Sequence, residues 1–235
     1  MSNANALLAF ARETLEIELT EAQRLLARLD DNFVSACELL LNCRGKAVIS
    51  GIGKSGHIGK KIAASLASTG TPSFFVHPAE ALHGDLGMIG ADDVVVFISY
   101  SGLAKELDLI LPLLAENGIP VIAVTGGKES PLAQAAACVL DIGVEREACP
   151  MGLAPTSSAV NTLMMGDALA MALMRQRGFN AEDFARSHPG GSLGARLLNR
   201  VHHLMRTGDR LPRVSESANV MEAMLELSRT GLGLV

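Results

Sequence analysis

The fold is decided by the stretch Lys46-Ala-Val-Ile-Ser-Gly-Ile-Gly-Lys-Ser-Gly56, in which a short apolar run leads directly into a glycine-rich turn and a helical segment. Four further apolar runs are candidate strands, at residues 73–76, 94–98, 120–124 and 139–142. We expect the intervening helices near residues 57–68, 103–116 and 131–137. Strands that are apolar throughout and alternate with helices are typical of a parallel sheet covered on both faces. The sequence therefore predicts an α/β fold with a doubly wound parallel sheet in three layers.

Helical segments flank the predicted sheet. Near the start of the chain, apolar residues recur at spacings of four, three, four and three, which puts them on one helix face: Leu15, Leu19, Ala22, Leu26 and Leu29. Asp30 and Asp31 offer an N-cap for a second helix that reaches about Cys43. We expect residues 1–45 to form a helical hairpin whose apolar stripe packs on the main body or on another subunit. After the sheet, a long helix is expected at residues 157–177.

Composition limits the class of partner. The 235 residues include 20 Lys+Arg against 25 Asp+Glu, a net charge of −5, and 49% of them are hydrophobic. Such a chain buries enough apolar surface to fold, so disorder is excluded. Proteins that bind nucleic acids or anionic membranes need clustered positive charge, and this chain has no Lys/Arg run. We therefore expect a small-molecule partner, with no nucleic acid and no membrane.

The chain carries no export or membrane signal. Its start lacks the basic segment and the uninterrupted apolar run of a signal peptide. The most apolar later segment, residues 163–174, is interrupted by Asp167 and falls short of the roughly 18 apolar residues of a membrane span. The cysteines at positions 37, 43, 138 and 149 lack CxxC spacing, which favours buried thiols over disulfides. These features favour a cytoplasmic protein.

Polar segments follow each predicted strand. In open α/β sheets, ligands bind beyond the carboxyl ends of the strands. The segments at those ends are residues 51–56, 77–84, 99–102, 125–127 and 145–150, and all are glycine-rich or carry functional groups. One such segment would be ordinary, but five at the same edge of a sheet indicate a site.

The first of these segments, Gly51-Ile-Gly-Lys-Ser-Gly56, matches a short dinucleotide-binding fingerprint. The acid expected at the end of the second strand is missing, since the nearest one is Glu80. A P-loop is excluded because it would need glycine where Val48 stands. The alternative is that the glycines only allow close packing of strand and helix. That alternative leaves Lys54 and Ser55 at the helix N-terminus unexplained.

A second motif, Ser99-Tyr-Ser-Gly102, is more specific. Two hydroxyls at a strand end, followed by glycine and a predicted helix start, supply donors for one oxyanion, which suits a phosphate monoester. Ordinary capping of a helix by serine is the alternative. Thr156-Ser157-Ser158 repeats the arrangement at another predicted helix start, and this repetition favours anion binding.

Eight segments, in order along the chain, carry a family resemblance: Gly51-Ile-Gly-Lys-Ser-Gly56, Thr69-Gly-Thr-Pro72, His77-Pro-Ala-Glu-Ala-Leu-His-Gly-Asp-Leu-Gly87, Ser99-Tyr-Ser-Gly102, Glu145-Arg-Glu-Ala-Cys-Pro150, Leu153-Ala-Pro-Thr-Ser-Ser158, Met165-Gly-Asp-Ala-Leu169 and Ser187-His-Pro-Gly-Gly-Ser-Leu-Gly194. Together they resemble the sugar isomerase (SIS) domain family and, within it, the arabinose-5-phosphate isomerases of the 3-deoxy-manno-octulosonate pathway. The resemblance covers roughly residues 5–235, so it is far more specific than any single motif.

The resemblance implies an aldose–ketose isomerase that interconverts D-arabinose 5-phosphate and D-ribulose 5-phosphate through an enediol, requires no cofactor and assembles as a homotetramer. It assigns catalytic positions to Lys54, Glu106, Glu147 and His188, with Glu147 as the leading candidate for the base. It assigns substrate-binding positions to Gly53, Ser55, Gly70, Thr71, His83, Ser99, Ser101, Gly102, Thr156, Ser157 and Ser158. It also implies a SIS domain over residues 46–200, then a linker and the incomplete start of a CBS domain over residues 201–235.

Two other functions stay open at this point. Many SIS domains carry a further hydroxyl after the serine motif, where this chain has Leu103-Ala-Lys105, so the substrate could be another sugar phosphate. A non-catalytic sensor of sugar phosphates is the second alternative. Such a sensor would need no acid–base set, and a transcriptional regulator would carry a basic DNA-binding helix. The four catalytic positions together favour the enzyme.

A metal site is not indicated by the residues themselves. His77 and His83 flank Glu80, but their spacing fits no standard zinc-ligand set, and no cysteine or carboxylate cluster completes a tetrahedron. The family resemblance leaves room only for an inhibitory zinc ion at His77.

Overall fold

The computed structural model describes residues 3–190 and 200–235. It divides into two compact units, one that ends at Ser187 and one that begins at His188. Residues 191–199 lie outside the described residues, and with them the end of the segment 187–194 and of the predicted domain 46–200. The boundary at residue 200 therefore stays a prediction.

The first unit is built on a five-stranded parallel sheet. The strands are β1 (Ala47–Gly51), β2 (Ser73–Val76), β3 (Val94–Ile98), β4 (Val121–Thr125) and β5 (Cys138–Asp141), and their order across the sheet is β2-β1-β3-β4-β5. All five predicted strands are confirmed to within one residue at each end. Strands β1, β3 and β4 are buried along their whole length because helices cover both faces.

Helices form the two outer layers of this unit. They are α1 (Asn3–Leu26), α2 (Asp31–Asn42), α3 (Gly53–Ser68), α4 (Pro78–Ala81), α5 (Leu107–Glu116), α6 (Pro131–Ala135), α7 (Ser157–Gln176) and α8 (Ala181–Ser187), with a 3-10 turn at Asp85–Met88. On one face of the sheet, Leu40 of α2, Leu66 of α3 and Leu169 of α7 share an apolar cluster. On the other face, Leu114 of α5 and Leu132 of α6 belong to a second cluster. The three-layer α/β fold is confirmed.

Two helices start elsewhere than predicted. Helix α3 begins at Gly53 rather than near residue 57, so Lys54 and Ser55 lie in its first turn. Helix α5 begins at Leu107 rather than at residue 103. The reason for the late start is local, because the side chain of Ser101 accepts the backbone N–H of Leu103, and Gly102 has a left-handed φ of 66°. These turns extend the loop after β3 by four residues.

The leucines of the predicted apolar stripe of α1 are largely exposed. Leu19 is 64% exposed and Leu26 is 71% exposed, whereas Leu25 and the carboxylate of Glu21 are buried. The packed face of α1 is thus rotated by about one residue from the prediction, since Glu21 finds polar partners in the body of the unit. Helix α1 packs on the main body through Leu25 and Glu21, and Ala22, Leu26 and Leu29 of the stripe line a small cavity with residues of α7. Packing of the exposed leucines on another subunit stays a prediction.

The second unit contains α9 (Val201–Leu204), a 3-10 turn (Gly208–Arg210) and α10 (Val220–Thr230). Helix α10 begins with a capping box formed by Asn219 and Glu222 and ends at Gly231 with a left-handed φ of 62°. Across both described ranges of the chain, none of the helices combines the length and the apolar character needed to cross a membrane.

Candidate active site

The order of the strands defines where a ligand would enter. The chain runs from β1 outward to β2 and then returns to place β3 on the other side of β1. In open α/β sheets this reversal opens a crevice at the carboxyl ends of the two central strands. Here the crevice lies between the segment after β1, which starts α3, and the loop after β3. Gly51 and Ile98 are paired at the ends of these two strands, so the segments leave the sheet side by side.

The glycines after β1 permit close packing. A Cβ atom on Gly51 would lie 2.9 Å from the carbonyl oxygen of Ile98, and one on Gly56 would lie 2.6 Å from the carbonyl oxygen of Gly51. Helix α3 therefore starts directly against the sheet, with an exposed Lys54 in its first turn. Its N-cap residue, Ile52, supplies no side-chain hydrogen bond, so the first-turn N–H groups and the ammonium of Lys54 create a positive local field.

The first part of the loop after β3, residues 99–102, is called the serine loop below. Ser99 Oγ accepts the N–H of Gly102 at 3.1 Å, and Ser101 Oγ accepts the N–H of Leu103 at 3.3 Å. Each hydroxyl accepts these bonds and keeps its own hydrogen for donation. The amides of Gly102 and Leu103 are taken up by these bonds, and α5 starts later, so the serine hydroxyls are the side-chain donors that an anion would meet here.

The segment after β5, residues 143–150, is called the carboxylate loop below, and it places Glu147 at the start of α7. Glu147 Oε2 accepts hydrogen bonds from the N–H of Thr156 at 2.8 Å, the hydroxyl of Thr156 at 2.9 Å and the N–H of Ser158 at 3.2 Å. The N–H of Cys149 donates to Thr156 Oγ1 at 3.2 Å, which closes the loop on the same group. A carboxylate of the protein itself therefore caps α7.

Two opposing effects set the pKa of Glu147. Burial acts to raise it, but hydrogen bonds from Ser158 and Thr156 together outweigh that effect and hold the pKa of the carboxyl below its ordinary value of 4.5. The proximity of the helix N-terminus acts in the same direction. Glu147 is consequently ionised throughout the neutral range.

The donors of the second hydroxyl motif are directed at Glu147. Thr156 and Ser158 give their donors to Glu147, so the start of α7 holds a carboxylate where the motif predicted a phosphate. Ser157 is fully buried, and its hydroxyl has no hydrogen-bond partner within the described residues. A substrate contact by any of the three stays a prediction.

A cavity of about 630 Å³ lies against the carboxylate loop. It is lined by Tyr100, Val144, Glu145, Arg146, Glu147, Cys149, Pro150, Met151, Gly152, Leu153, Pro155 and Ser158. A second cavity of about 610 Å³ lies at the amino ends of the strands, where Arg44 and Asp92 line it. Of these two cavities, only the first adjoins the loops at the carboxyl ends of the strands, so we take it as part of the candidate substrate site. Glu147 and Ser158 line it, whereas Lys54, Ser99 and Ser101 lie outside its lining.

The remaining predicted residues are placed as follows. Glu106 is the N-cap residue of α5, is half-buried and makes no capping hydrogen bond with its side chain. His83 is exposed in the turn after α4. Gly70 and Thr71 precede β2 and so lie at the amino ends of the strands, away from the carboxyl ends. The hydroxyl of Thr71 accepts a hydrogen bond from Arg177. The structure does not bring Gly70 and Thr71 together with the serine and carboxylate loops.

Two histidine predictions remain without a test. His77 caps α4, since its Nδ1 accepts the N–H of Ala79 at 3.2 Å, which leaves Nε2 as the nitrogen for an inhibitory zinc ion. Within residues 3–190 and 200–235, no three His, Cys, Asp or Glu side chains are grouped as a metal-ligand set. His188 begins the second unit, and its catalytic role stays a prediction.

Sequence reasoning overlooked the residues that hold the carboxylate loop. The N–H of Glu145 donates to Glu21 Oε2 at 3.1 Å, and Arg24 bridges Glu21 Oε1 at 2.5 Å and Glu145 Oε2 at 2.8 Å. On the other side, the N–H of Val144 donates to the hydroxyl of Tyr100 at 3.1 Å. A usable signal existed for Tyr100, because it is the chain's single tyrosine and it stands between the two serines of the motif.

Comparison with known proteins gives consistent results. A family model described as SIS domain matches residues 40–172. The chain is 71% identical to the arabinose 5-phosphate isomerase GutQ of Escherichia coli strain K12. The 232 aligned residues cover 99% of this chain and 72% of that protein. It is 57% identical over 224 residues to the arabinose 5-phosphate isomerase KdsD of Pseudomonas aeruginosa, covering 95% and 69%.

A solved structure agrees with these matches. A protein of Escherichia coli CFT073 in complex with arabinose 5-phosphate shares 41% identity with the chain, with a TM-score of 0.77, over 80% of this chain and 100% of that one.

Proposed function

Because the chain belongs to the SIS-domain family of arabinose 5-phosphate isomerases, we propose that it interconverts D-arabinose 5-phosphate and D-ribulose 5-phosphate. The observation that carries the proposal is the carboxylate of Glu147, which is anchored through one oxygen at the start of α7 and lines the cavity at the carboxyl edge of the sheet. The relatives at 71% and 57% identity and the solved structure in complex with arabinose 5-phosphate support the same reaction.

Glu147 is the base in this proposal. Aldose–ketose isomerisation moves a proton between C1 and C2, which needs a base that reaches both carbons. Hydrogen bonds from Thr156 and Ser158 converge on Oε2, so Oε1 is the oxygen that takes the proton from one carbon and returns it to the other. The lowered pKa keeps the carboxylate in its reactive protonation state at neutral pH, at the cost of a weaker base.

The weaker base requires that the enediol be stabilised by other groups. Lys54, in the first turn of α3, supplies positive charge beside the crevice where negative charge develops on the substrate oxygen. The hydroxyls of Ser99, Ser101 and Ser55 hold the phosphate. His188 assists ring opening or moves a proton on oxygen. Glu106 is a further catalytic position.

The proposal also covers the assembly of the enzyme, its cofactor requirement, its cellular compartment and its pathway. The exposed leucines of α1 give a surface for a second copy of the chain, which supports a homotetramer. No organic cofactor is required. The enzyme acts in the cytoplasm, and its product enters 3-deoxy-manno-octulosonate synthesis, either for lipopolysaccharide biosynthesis or as a redundant activity of a sugar-alcohol operon. Residues 201–235 begin a CBS domain.

The test is isomerisation measured across a panel of pentose, hexose and heptose phosphates, with free arabinose as control. We expect D-arabinose 5-phosphate to be the best substrate and the free sugar to be turned over very poorly. A better hexose or heptose phosphate would reassign the substrate. Binding of sugar phosphates without any turnover would replace the enzyme by a sensor.

A further inference from the structure

Tyr100 joins the two loops of the candidate site. Its backbone is fixed at the ends of β3 and β4, because its carbonyl oxygen accepts the hydroxyl of Thr125 at 3.1 Å and the N–H of Gly126 at 3.0 Å. Its ring passes over Gly126, where a Cβ atom would lie 2.8 Å from the ring carbon Cε2 and 3.1 Å from the Cα of Gly143. The ring of Tyr100 can extend toward β5 only because position 126 is a glycine and leaves this space open.

The phenolic oxygen of Tyr100, at the far end of the ring, accepts a hydrogen bond from the N–H of Val144 at 3.1 Å. The next amide, that of Glu145, donates in turn to Glu21 on α1. Consecutive amides of the carboxylate loop are thus held from two sides, by Tyr100 and by α1. Val144 precedes Glu147 by three residues, so a shift at Val144 is transmitted to the carboxylate through a short tethered segment.

We propose that Tyr100 is a positioning residue that couples anion binding at the serine loop to the placement of Glu147. Ser99 and Ser101, whose hydroxyls hold the anion, flank Tyr100 directly. An anion that orders these serines also fixes the backbone of Tyr100. Because the Tyr100 ring reaches past the end of β4 to the amide of Val144, the same anion restricts the position of Val144. As far as turnover is concerned, this inference rests on the proposed function.

The first experiment is the substitution Tyr100→Phe, which keeps the ring over Gly126 and removes only the hydroxyl that accepts Val144. We expect kcat to fall about tenfold, the size of one lost hydrogen bond in a transition state, while KM stays within about twofold. The matched control is Glu13→Gln, which removes an exposed ion pair between α1 and Arg146 of the same loop. It should leave kcat within about twofold. Equal losses in both variants, or a purely KM effect in Tyr100→Phe, would overturn the proposal.

The second experiment does not depend on isomerisation. Cys149 lies two residues after Glu147 and lines the cavity, and hydrogen bonds from the backbone at Ala154, Leu153 and Met151 lower the pKa of its thiol. Its alkylation by iodoacetamide, followed by mass spectrometry with Cys37 and Cys43 as internal references, therefore reports the state of the carboxylate loop.

Saturating inorganic phosphate should slow alkylation of Cys149 about threefold or more in the wild-type protein and have almost no effect in Tyr100→Phe. The same ratio in both proteins would mean that phosphate shields the thiol directly, and no effect in the wild type would mean that the loops are not coupled. Either result overturns the proposal. A wild-type protein that shows the phosphate effect but isomerises no sugar phosphate would instead refute only the proposed function.

Discussion

The serine loop and the carboxylate loop lie at the same edge of the sheet, but they are held in different ways. The two hydroxyls of the serine loop are held locally, by the amides of Gly102 and Leu103, and the loop's other bonds go to the adjoining end of β4. The carboxylate loop depends on distant partners, since its amides and its carboxylate are bound by α1, Tyr100 and α7. Changes to the first loop should therefore alter substrate binding, and changes to the partners of the second should alter turnover.

The largest expected effect comes from Glu147→Gln, which keeps an acceptor for Thr156 and Ser158 and removes basicity. Turnover should fall by about 10²-fold or more with KM nearly unchanged, because only the proton transfer is lost. Steady-state kinetics on D-arabinose 5-phosphate measures this. Glu116→Gln, which changes an exposed carboxylate at the C-terminal end of α5, is the control and should stay within about twofold. Activity retained in Glu147→Gln would remove Glu147 from the role of base.

The next effect tests the anchoring of the carboxylate loop by α1. Glu21→Ala leaves the amide of Glu145 and the guanidinium of Arg24 without a buried acceptor, so the free energy of unfolding should fall by about 2 kcal/mol. Denaturant unfolding measures this change. Glu13→Ala, on the exposed side of the same helix, should cost less than about 0.5 kcal/mol. If the two variants unfold alike, α1 does not hold the loop as described.

A smaller effect, on KM rather than on kcat, is expected from a change in the serine loop. Ser101→Ala removes one phosphate donor, so KM should rise about tenfold while kcat changes less than about twofold. The pair Ser101→Ala and Glu147→Gln thus separates binding from turnover. A loss confined to kcat in Ser101→Ala would contradict the division between the two loops.

The smallest effect is a pH dependence of stability. The pKa of Glu147 is lower in the folded protein than its ordinary value of 4.5, so its stabilising contribution is fully present above pH 4.5 and is lost as the pH falls through the folded pKa. The wild type should melt about 1–4 °C above Glu147→Gln at pH 7, and this difference should shrink as the pH falls below 4.5 and vanish once the pH is below the folded pKa of Glu147. A difference that persists in acid would show that the carboxylate does not cap α7.

The contrast between the loops also explains what the sequence could predict. The five strands were predictable because continuous apolar runs between turn residues have few other structures available. The serine loop was predictable because its two hydroxyls and its glycine are neighbours in the chain. Even so, the start of α5 was misplaced by four residues, since hydrogen bonds from backbone amides to serine hydroxyls competed with the first helical turn.

The surroundings of Glu147 could not be predicted, because they come from remote parts of the chain. Glu145 and its acceptor Glu21 are 124 positions apart. The spacing of apolar residues in α1 could not distinguish the exposed Leu19 and Leu26 from buried residues. It also predicted that the charged Glu21 lies outside the packed face, whereas Glu21 is buried. A buried carboxylate at that position becomes understandable only once its partners, Glu145 and Arg24, are in place.

The most direct test of the central claim, proton transfer by a carboxylate base through an enediol, is to isomerise D-ribulose 5-phosphate in D₂O and locate the deuterium in the D-arabinose 5-phosphate formed. Proton transfer by Glu147 predicts deuterium at C2, because the proton taken from C1 exchanges with solvent before its return. Product that forms at the wild-type rate with no deuterium at C2, its hydrogen transferred entirely within the molecule, would contradict the account.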